Sequence, residues 1–372
     1  MTSVFLIVMM LLLLIARPAA AQDSTSSRLT DLYDTLVPSL IKQYQIPGAA
    51  LALIHHNEIV WSQGYGVADK DTNAPVDADT LFSVESISKA LTSWEIMRLV
   101  EAGKIDLDAP VNQYLKSWQL TGANGNDPKA ATIRRILSHT AGLNVDGYAG
   151  FDVNTGALPS VVDLLSGKVS DVPAVQVTFQ PGTRFEYSGG GFTILQLMIS
   201  DITGEPFQAV MQTDVLDQLG MTRSTFQWSP DLTNASTSYK LSGLVDHGLL
   251  HVDLAAGGLF TSANDLARFF TVGLSDQYLK PDDIALMHTP AAATDGQYGF
   301  GNFLFTLDDG TPVVWHDGIG AGQRSIFFWL PQTQDGLIIL TNKANGNRIF
   351  QKVVCAWDSW LHGEQTKLCQ SY

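Results

Sequence analysis

The sequence predicts an α/β (α+β) fold in which strands from both ends of the chain form one antiparallel sheet, flanked by the first and last helices. Two observations predict it. A helix-periodic segment near the N-terminus is followed by two strand-like segments, and four more strand-like segments precede a last helix near the C-terminus. Residues 104–250 carry mostly helix and loop signals, which indicates an inserted, mostly helical lobe.

The N-terminal elements follow from hydrophobic periodicity. Residues 28–45 are predicted to form an amphipathic helix, whose end is marked by Pro47 and Gly48. Strands are predicted at residues 49–55 and 58–64, joined by a short turn. The apolar residues expected on the inner side of the helix are Leu29, Leu32, Leu36, Leu40 and Tyr44.

The C-terminal elements complete the predicted sheet. Turn signals at residues 308–310 and 334–336 separate short apolar segments. Because antiparallel strands can be joined by short turns, these segments are expected to continue the sheet of the N-terminal strands. The predicted strands are residues 300–307, 313–316, 325–330 and 336–341, and the closing helix is about 348–361.

The chain is expected to form one domain after a short leader. Its 372 residues, 45% of them hydrophobic, are ample for a sizeable core. No internal repeat, low-complexity tract or polar linker indicates a further domain. We therefore expect a domain at residues 22–372, with an α/β lobe at about 22–103 and 251–372 and a helical lobe at about 104–250.

The first residues are typical of a secretory signal. Residues 4–16 form an unbroken apolar run that is too short to span a bilayer comfortably, and the alanines at 19–21 fit a small-residue cleavage site. We expect removal of residues 1–21, a secreted or periplasmic location, and no stable membrane anchor afterwards. Since no Lys or Arg precedes the apolar run, an uncleaved anchor is the alternative.

Charge and cysteine content exclude some partners and predict one crosslink. With 37 acidic against 22 basic residues the net charge is −15, and the absence of a basic run argues against a nucleic-acid partner. Cys355 and Cys369 are the two cysteines of the chain. In an exported protein such a pair is predicted to form a disulfide that ties the tail to the last helix; two free thiols are the alternative.

Ser86 and Lys89 form a Ser-x-x-Lys motif at the start of a predicted helix. Apolar residues recur at helical steps after Lys89, and Gly103 supplies a stop signal. Residues three apart share a helix face, so Lys89 can contact the Ser86 hydroxyl and help to remove its proton. A helix beginning at Ser86 would also direct free N–H groups at a developing oxyanion. The motif therefore predicts a nucleophilic serine.

Through this motif and five later or flanking segments, the chain resembles the serine β-lactamase and penicillin-binding protein superfamily. Within it, the chain is similar to class C β-lactamases, DD-peptidases and the related esterases. The resemblance implies a β-lactamase/transpeptidase-like fold and covers most of the mature chain. The segments that carry it, in order, are residues 81–85, 137–143, 181–188 and 257–262 and the box His316-Asp317-Gly318.

The resemblance implies that Tyr187 belongs to the catalytic group. The family has a Tyr-x-Asn box, whose tyrosine lies near the serine and the lysine. A Lys89 ammonium is expected to lower the pKa of Tyr187, so either residue could be the general base. Gly189 stands in place of the asparagine and lacks the amide that would orient the lysine and a substrate acylamide.

The third box begins with His316, where many relatives have lysine. His316 is expected beside Ser86, as a partial positive charge and a proton-relay partner. Gly318 is expected to let a substrate backbone lie against the strand. The N–H of Ile319 is expected to be the second oxyanion donor, together with that of Ser86.

No metal site or cofactor is predicted. His247 and His251 have helical spacing for two metal ligands, but Gly248 weakens a helix there and no Glu follows His247. His55 and His56 are neighbours on a predicted strand, so their side chains are expected to point to opposite sides.

These residues predict an exported serine hydrolase that forms an acyl-enzyme on Ser86 with a small ester, amide or peptide substrate. We expect a β-lactamase-like enzyme with esterase or peptidase activity. One alternative is a D-alanyl-D-alanine carboxypeptidase or D-aminopeptidase. The other is a non-catalytic penicillin-binding or scaffold protein, against which the intact Ser86, Lys89 and Tyr187 argue.

Overall fold

The structure is a computed structural model that describes residues 20–152, 157–169, 172–246 and 249–370. The predicted signal peptide falls mostly on residues 1–19, outside the described residues. The long helices are α1 (Ala20–Tyr44), α2 (Ser88–Glu101), α3 (Gly189–Thr203) and α4 (Phe350–His362). Shorter α-helices are Ile133–Leu137, Val161–Leu165, Phe207–Val210, Leu254–Gly257, Ala263–Arg268, Pro281–Met287 and Lys367–Gln370. Single turns of other helix types are Glu85–Ile87, Val111–Gln113, Pro128–Ala130, Met211–Leu216, Phe269–Gly273 and Gly346–Ile349.

Seven of the described strands form one large antiparallel sheet in the order β4-β5-β6-β7-β1-β2-β3. Its strands are β1 (Gly48–His55), β2 (Glu58–Asp69), β3 (Ala74–Pro75), β4 (Phe303–Thr306), β5 (Pro312–Ile319), β6 (Arg324–Leu330) and β7 (Asp335–Thr341). Strand β1 pairs with β2 on one side and β7 on the other, so N- and C-terminal strands share the sheet, as predicted. Two-residue strands pair outside it: Phe82–Ser83 with Phe260–Thr261, Thr121–Gly122 with Gln176–Val177, and Phe151–Asp152 with Leu249–Leu250.

Three predicted strands differ from those observed by three or more residues at one end. Strand β2 continues to Asp69 instead of ending at residue 64. Strand β4 begins at Phe303 rather than 300, because Gly301 has φ +70° and the Gly299 N–H donates to the Asn302 carbonyl at 2.9 Å, which makes a tight turn there. Strand β5 runs on to Ile319 instead of ending at His316. The extension places the whole His-Asp-Gly box on a paired strand.

Strand β1 divides the core into two layers. Successive side chains of a strand point to opposite faces. Leu51 and Leu53 pack into the cluster formed with α1 and α4, whereas Ala52 and Ile54 pack into the larger cluster that contains α2 and α3. The sheet is therefore covered on both faces, and α2 lies on the face opposite the terminal helices.

Helix α1 packs by a face slightly different from the predicted one. Leu32 is 46% exposed, while Tyr33 and Val37 are fully buried. The Tyr33 hydroxyl donates to the Val353 carbonyl of α4 at 3.0 Å. The inner face is centred on these residues because α1 contacts α4 as well as the sheet.

A disulfide joins Cys355 of α4 to Cys369 of the last short helix. The Asp358 carboxylate also accepts the N–H groups of Thr366 at 2.6 Å and Cys369 at 3.2 Å. The tail is thus held to α4 by a crosslink and by hydrogen bonds.

We expect this disulfide to be present in the native protein. The crosslink closes a segment with a sequence separation of 14, and closing a loop of that size stabilises by about 3 kcal/mol in the chain-entropy model. Intact mass and alkylation before and after reduction measure it. Two alkylatable thiols in the unreduced native protein would contradict the prediction.

Among the described residues, none of the helices is both long enough and apolar enough to cross a membrane.

Candidate active site

Ser86 lies in a 3₁₀ turn, Glu85–Ile87, immediately before α2. The predicted helix therefore begins two residues later than Ser86. Glu85 has φ +51°, and the Ser88 hydroxyl donates to its carbonyl at 2.6 Å, which closes the turn. The turn presents the Ser86 side chain at the edge of a cavity of about 380 Å³.

Gly318 is required by this turn. A Cβ at Gly318 would lie 2.1 Å from the Val84 carbonyl oxygen and 2.3 Å from the Ser325 hydroxyl. The Ser325 hydroxyl in turn donates to the same Val84 carbonyl at 3.1 Å. Strand β5 therefore needs glycine here so that the nucleophile turn can pack against it, which is a reason that the sequence did not suggest; the substrate-facing role of Gly318 stays a prediction.

The structure brings Ser86, Lys89 and Tyr187 together. The Ser86 Oγ accepts hydrogen bonds from Lys89 Nζ at 3.1 Å and from the Tyr187 hydroxyl at 2.9 Å. Lys89 Nζ also donates to the Ala256 carbonyl at 2.7 Å, and its side chain is almost wholly buried. Tyr187 comes from the segment just before α3, so two elements far apart in sequence meet at one hydroxyl.

Lys89 is placed to accept a proton near neutral pH. Burial lowers the pKa of Lys89 to about 7, although the carboxylates of Asp253 and Glu85 act in the opposite direction. A substantial fraction of Lys89 is then a neutral amine at pH 7, within hydrogen-bond reach of the hydroxyl it would deprotonate.

Tyr187 stays protonated, contrary to expectation. Burial raises the pKa of Tyr187 well above its ordinary value, and the hydrogen bond with Ser86 offsets only part of this. The expected lowering by the Lys89 charge is therefore wrong, because the sequence does not reveal how deeply the phenol is buried. Tyr187 acts here as a hydrogen-bond donor, and of the two candidate bases the opposite pKa directions favour Lys89.

His316 is uncharged rather than partly positive. Burial, reinforced by the Lys89 charge, lowers the pKa of His316 to about 3. Its Nδ1 lies 2.7 Å from the Asp317 carbonyl oxygen, and its Nε2 lies 3.4 Å from the Tyr298 hydroxyl. The expectation of a partial positive charge is wrong for the same reason as for Tyr187: the ring is 1% exposed.

A chain of hydrogen bonds runs behind Tyr187 through a residue that sequence reasoning missed, Tyr298. The Ser188 N–H donates to His139 Nδ1 at 3.0 Å, so His139 Nε2 carries the proton and donates to the Tyr298 oxygen at 3.1 Å. The Tyr298 hydroxyl can then donate to His316. Each group has one consistent tautomer or rotamer, which holds the neutral imidazoles in place.

The register of β5 supports the Ile319 N–H as an oxyanion donor. The Gly320 N–H donates to the Gln323 carbonyl at 3.2 Å, which makes this a hydrogen-bonded pair of the hairpin. Because such pairs alternate in antiparallel strands, the next pair, Ile319 with Arg324, directs its backbone groups away from β6. The first residue of β4, Phe303, pairs with Trp315, so β4 does not reach far enough to pair with Ile319.

Gly189 leaves no room for a side chain. It is the first residue of α3, and its N–H donates to the Asp146 carbonyl at 2.5 Å. A Cβ there would lie 2.8 Å from that carbonyl oxygen and 3.0 Å from the Cα of Gly147. An asparagine at 189 would displace the 146–147 loop rather than add an amide to the site.

Sequence reasoning also missed the ion-pair group of Glu85, His251 and Asp253. The two ring nitrogens of His251 lie 2.9 Å from Glu85 Oε2 and 3.0 Å from Asp253 Oδ1. Burial alone would lower the pKa of His251, but the two carboxylates outweigh it and raise the pKa well above its ordinary value. His251 is therefore a cation held beside the nucleophile turn. His247, its proposed partner as a metal ligand, lies outside the described residues.

The cavity has more carboxylates than cations, since the cationic His251 and Lys89 share it with four acidic side chains. Asp146 and Asp317 line it together with Glu85 and Asp253, and Lys89 is the one Lys or Arg among its described lining residues. Burial raises the pKa of Asp317, which the charges of Arg324 and Lys89 partly offset. Asp317 takes the place that a threonine holds in the Lys-Thr-Gly box of many relatives. The site thus offers little to an anionic group.

His55 and His56 converge, contrary to expectation. Their ring centroids are 3.9 Å apart, and His55 Nδ1 lies 2.6 Å from Asp335 Oδ1. The strand alternation fails because His56 turns into the hairpin with φ +51°. Possible ligand atoms of the three residues lie within 4.8 Å of one another, at the opposite end of the sheet from Ser86.

A family model described as Beta-lactamase matches residues 33–353. The chain belongs to the Beta-lactamase family. Among curated proteins of similar sequence, the esterase EstB of Burkholderia gladioli is 29% identical over 207 residues, which cover 53% of this chain and 50% of EstB. Protein flp of Staphylococcus aureus (strain MRSA252) is 22% identical over 317 residues, 83% of this chain and 62% of that protein. The chain thus spans about half to three fifths of the length of these relatives.

Solved structures confirm the β-lactamase/transpeptidase-like fold. An octameric penicillin-binding protein homologue from Pyrococcus abyssi superposes with a TM-score of 0.76, covering 90% of this chain and 78% of that one, at 22% identity. A β-lactamase/D-alanine carboxypeptidase from Pseudomonas syringae gives a TM-score of 0.71, with 91% and 99% covered, also at 22% identity. At this identity the likeness concerns the fold.

Proposed function

We propose that the protein is an exported serine hydrolase that cleaves small uncharged esters through an acyl-enzyme on Ser86. The observation that carries the proposal is the pair of hydrogen bonds to Ser86 Oγ, from a buried lysine and a buried tyrosine. Membership of a family that includes a named esterase supports the reaction class. Export rests on the predicted signal at residues 1–21.

The acylation step follows from the positions of three side chains. Neutral Lys89 takes the proton of the Ser86 hydroxyl as Oγ forms a bond to the ester carbonyl carbon. The N–H groups of Ser86 and Ile319 bind the resulting oxyanion. Tyr187 donates its proton to the departing alcohol oxygen as the carbon–oxygen bond breaks, and Lys89, now an ammonium, returns a proton to Tyr187.

Deacylation uses the same groups in reverse. A water molecule gives a proton to Lys89, and the oxygen of that water attacks the acyl carbon. The oxyanion forms again between the two N–H groups, and collapse breaks the bond to Ser86 Oγ. Oγ takes up a proton through Tyr187 and Lys89, which restores the resting state with a free carboxylic acid as product.

The charge of the cavity favours an uncharged substrate over one that bears a carboxylate. His316 is neutral, Asp317 replaces a neutral donor with an acceptor, and Gly189 adds no amide. Penicillins and peptides ending in D-alanine carry a carboxylate, and in this cavity it would meet more carboxylates than cations, with His251 already paired to two of them. This charge pattern supports an esterase over a D-alanyl-D-alanine carboxypeptidase.

We expect kcat/KM for p-nitrophenyl acetate to equal or exceed that for benzylpenicillin. In Asp317→Asn the ratio of penicillin to ester turnover should rise about five- to tenfold, since roughly 1 kcal/mol of repulsion between nearby charges is removed. Asp309→Asn, in an exposed turn, removes the same charge away from the cavity and should leave the ratio unchanged. A parent enzyme that cleaves benzylpenicillin a hundredfold better than the ester would contradict the assignment.

A further inference from the structure

A second, larger cavity adjoins the one that holds Ser86. Its volume is about 660 Å³, and the two cavities share Glu85 and His251 as lining residues. Each ring nitrogen of His251 already faces a carboxylate, so the charge of His251 in this shared wall is paired within the protein. A group that passes over it need not supply a charge.

The second cavity is lined by apolar side chains and by uncharged polar ones, among them Gln196, Gln208 and Gln227, and it is partly open to solvent. Leu158 and Trp228, among the most exposed large hydrophobic residues of the described chain, are 43% and 39% exposed and both lie on it. Large apolar side chains left in contact with water at a concave surface mark a binding site more often than a random surface. Further apolar lining residues are Val161, Phe226, Leu232 and Leu254.

Few charges face this cavity. Apart from the shared pair, Asp246 is the one charged residue among its described lining residues, and it pairs with Lys240 at 3.6 Å. The cavity therefore suits an uncharged ligand of substantial length, with apolar contacts to Leu158 and Trp228. Because this cavity adjoins the one that holds Ser86, the other end of a ligand bound in it would lie beside the nucleophile.

We propose that this cavity binds the apolar chain of the ester whose carbonyl is attacked by Ser86. The inference rests on the proposed function and narrows it, since it makes medium- to long-chain esters better substrates than acetates. Each methylene removed from water gives up to about a fourfold gain in affinity. The chain can belong to the acyl group or to the alcohol, because either can extend from the carbonyl into the same cavity.

The test varies chain length on each side of the ester. The acyl arm compares kcat/KM for p-nitrophenyl acetate, butyrate and octanoate below their micelle concentrations, and the alcohol arm compares ethyl, butyl and octyl acetate. We expect at least a tenfold rise along one arm. The arm that rises tells which side of the ester enters the cavity.

Variants connect this rise to the cavity. On the arm that rises, Leu158→Asp should reduce at least tenfold the ratio of kcat/KM for the longest ester to kcat/KM for the shortest. Trp228→Ser, on a separate segment, provides a second test should Leu158→Asp fail to fold. Leu241→Asp is the matched control, because Leu241 is 71% exposed and lines neither cavity. It should leave the ratio as in the parent.

The outcomes separate the two proposals. Short esters cleaved with no rise along either arm, or a rise that persists in both cavity variants, would overturn the role of the second cavity and leave the esterase assignment standing. No hydrolysis of any ester would overturn the proposed function, and with it this inference.

Discussion

Ser86→Ala is expected to lower kcat for ester hydrolysis by several powers of ten, on the order of 10⁶ as for the nucleophile of a serine protease. The alanine keeps the turn but removes the atom that would form the acyl bond. The free energy of unfolding should fall by no more than about 2 kcal/mol, because Lys89 retains its hydrogen bond to the Ala256 carbonyl and the two lost hydrogen bonds, from Lys89 and Tyr187, are worth about 1 kcal/mol each. Steady-state kinetics and thermal unfolding on parent and variant measure both.

Ser93→Ala is the matched control for this prediction. Ser93 lies on α2, the helix that follows the nucleophile turn; it is buried, and its hydroxyl has no hydrogen-bond partner among the described residues. Its replacement should leave turnover within a few-fold of the parent. If Ser86→Ala keeps a tenth or more of the parental activity, Ser86 is not the nucleophile.

Lys89→Met is expected to lower kcat/KM by about 10²- to 10⁴-fold, the usual contribution of a general base. Methionine has a similar length and no titrating group, so packing in the buried site is largely kept. With Lys89 present, kcat/KM should rise with pH and level off above an inflection near 7, because only the neutral amine can take the serine proton and burial sets its pKa at about 7. Below the inflection the loss should be about tenfold per pH unit.

The same profile separates Lys89 from the other titrating groups. Tyr187 loses its proton only well above its ordinary pKa, and His316, with a pKa of about 3, stays neutral throughout the range. His251 keeps its charge beyond its ordinary pKa and would give a fall with rising pH if its proton were used. A profile that falls through neutral pH, or one that persists in Lys89→Met, would contradict the role of Lys89.

Local patterns predicted most of the strands and the contact between Ser86 and Lys89. The spacing of Ser86 and Lys89 is a helical repeat, and the strand order follows from alternation and short turns, both of which act within a few residues. The N- and C-terminal strands meet in one sheet as expected, and the family resemblance is confirmed by the Beta-lactamase match.

Burial and long-range packing could not be predicted from the sequence. The pKa direction of Tyr187 and the partial positive charge of His316 were wrong because each depends on how much water reaches the group. His251 meets Glu85 across more than 160 residues, with no periodic relation between them; an Asp two residues after a His was the one available signal. The steric reason for Gly318 is a carbonyl from the turn before α2, which only the fold reveals.

The most direct test of the account is covalent labelling followed by mass analysis of the intact protein. A fluorophosphonate should add once per chain, and digestion should place the adduct on the peptide that contains Ser86. Ser86→Ala should take up no label, while Ser93→Ala labels as the parent does. An adduct on another residue, or equal labelling of Ser86→Ala, would contradict the claim that Ser86 forms the acyl-enzyme.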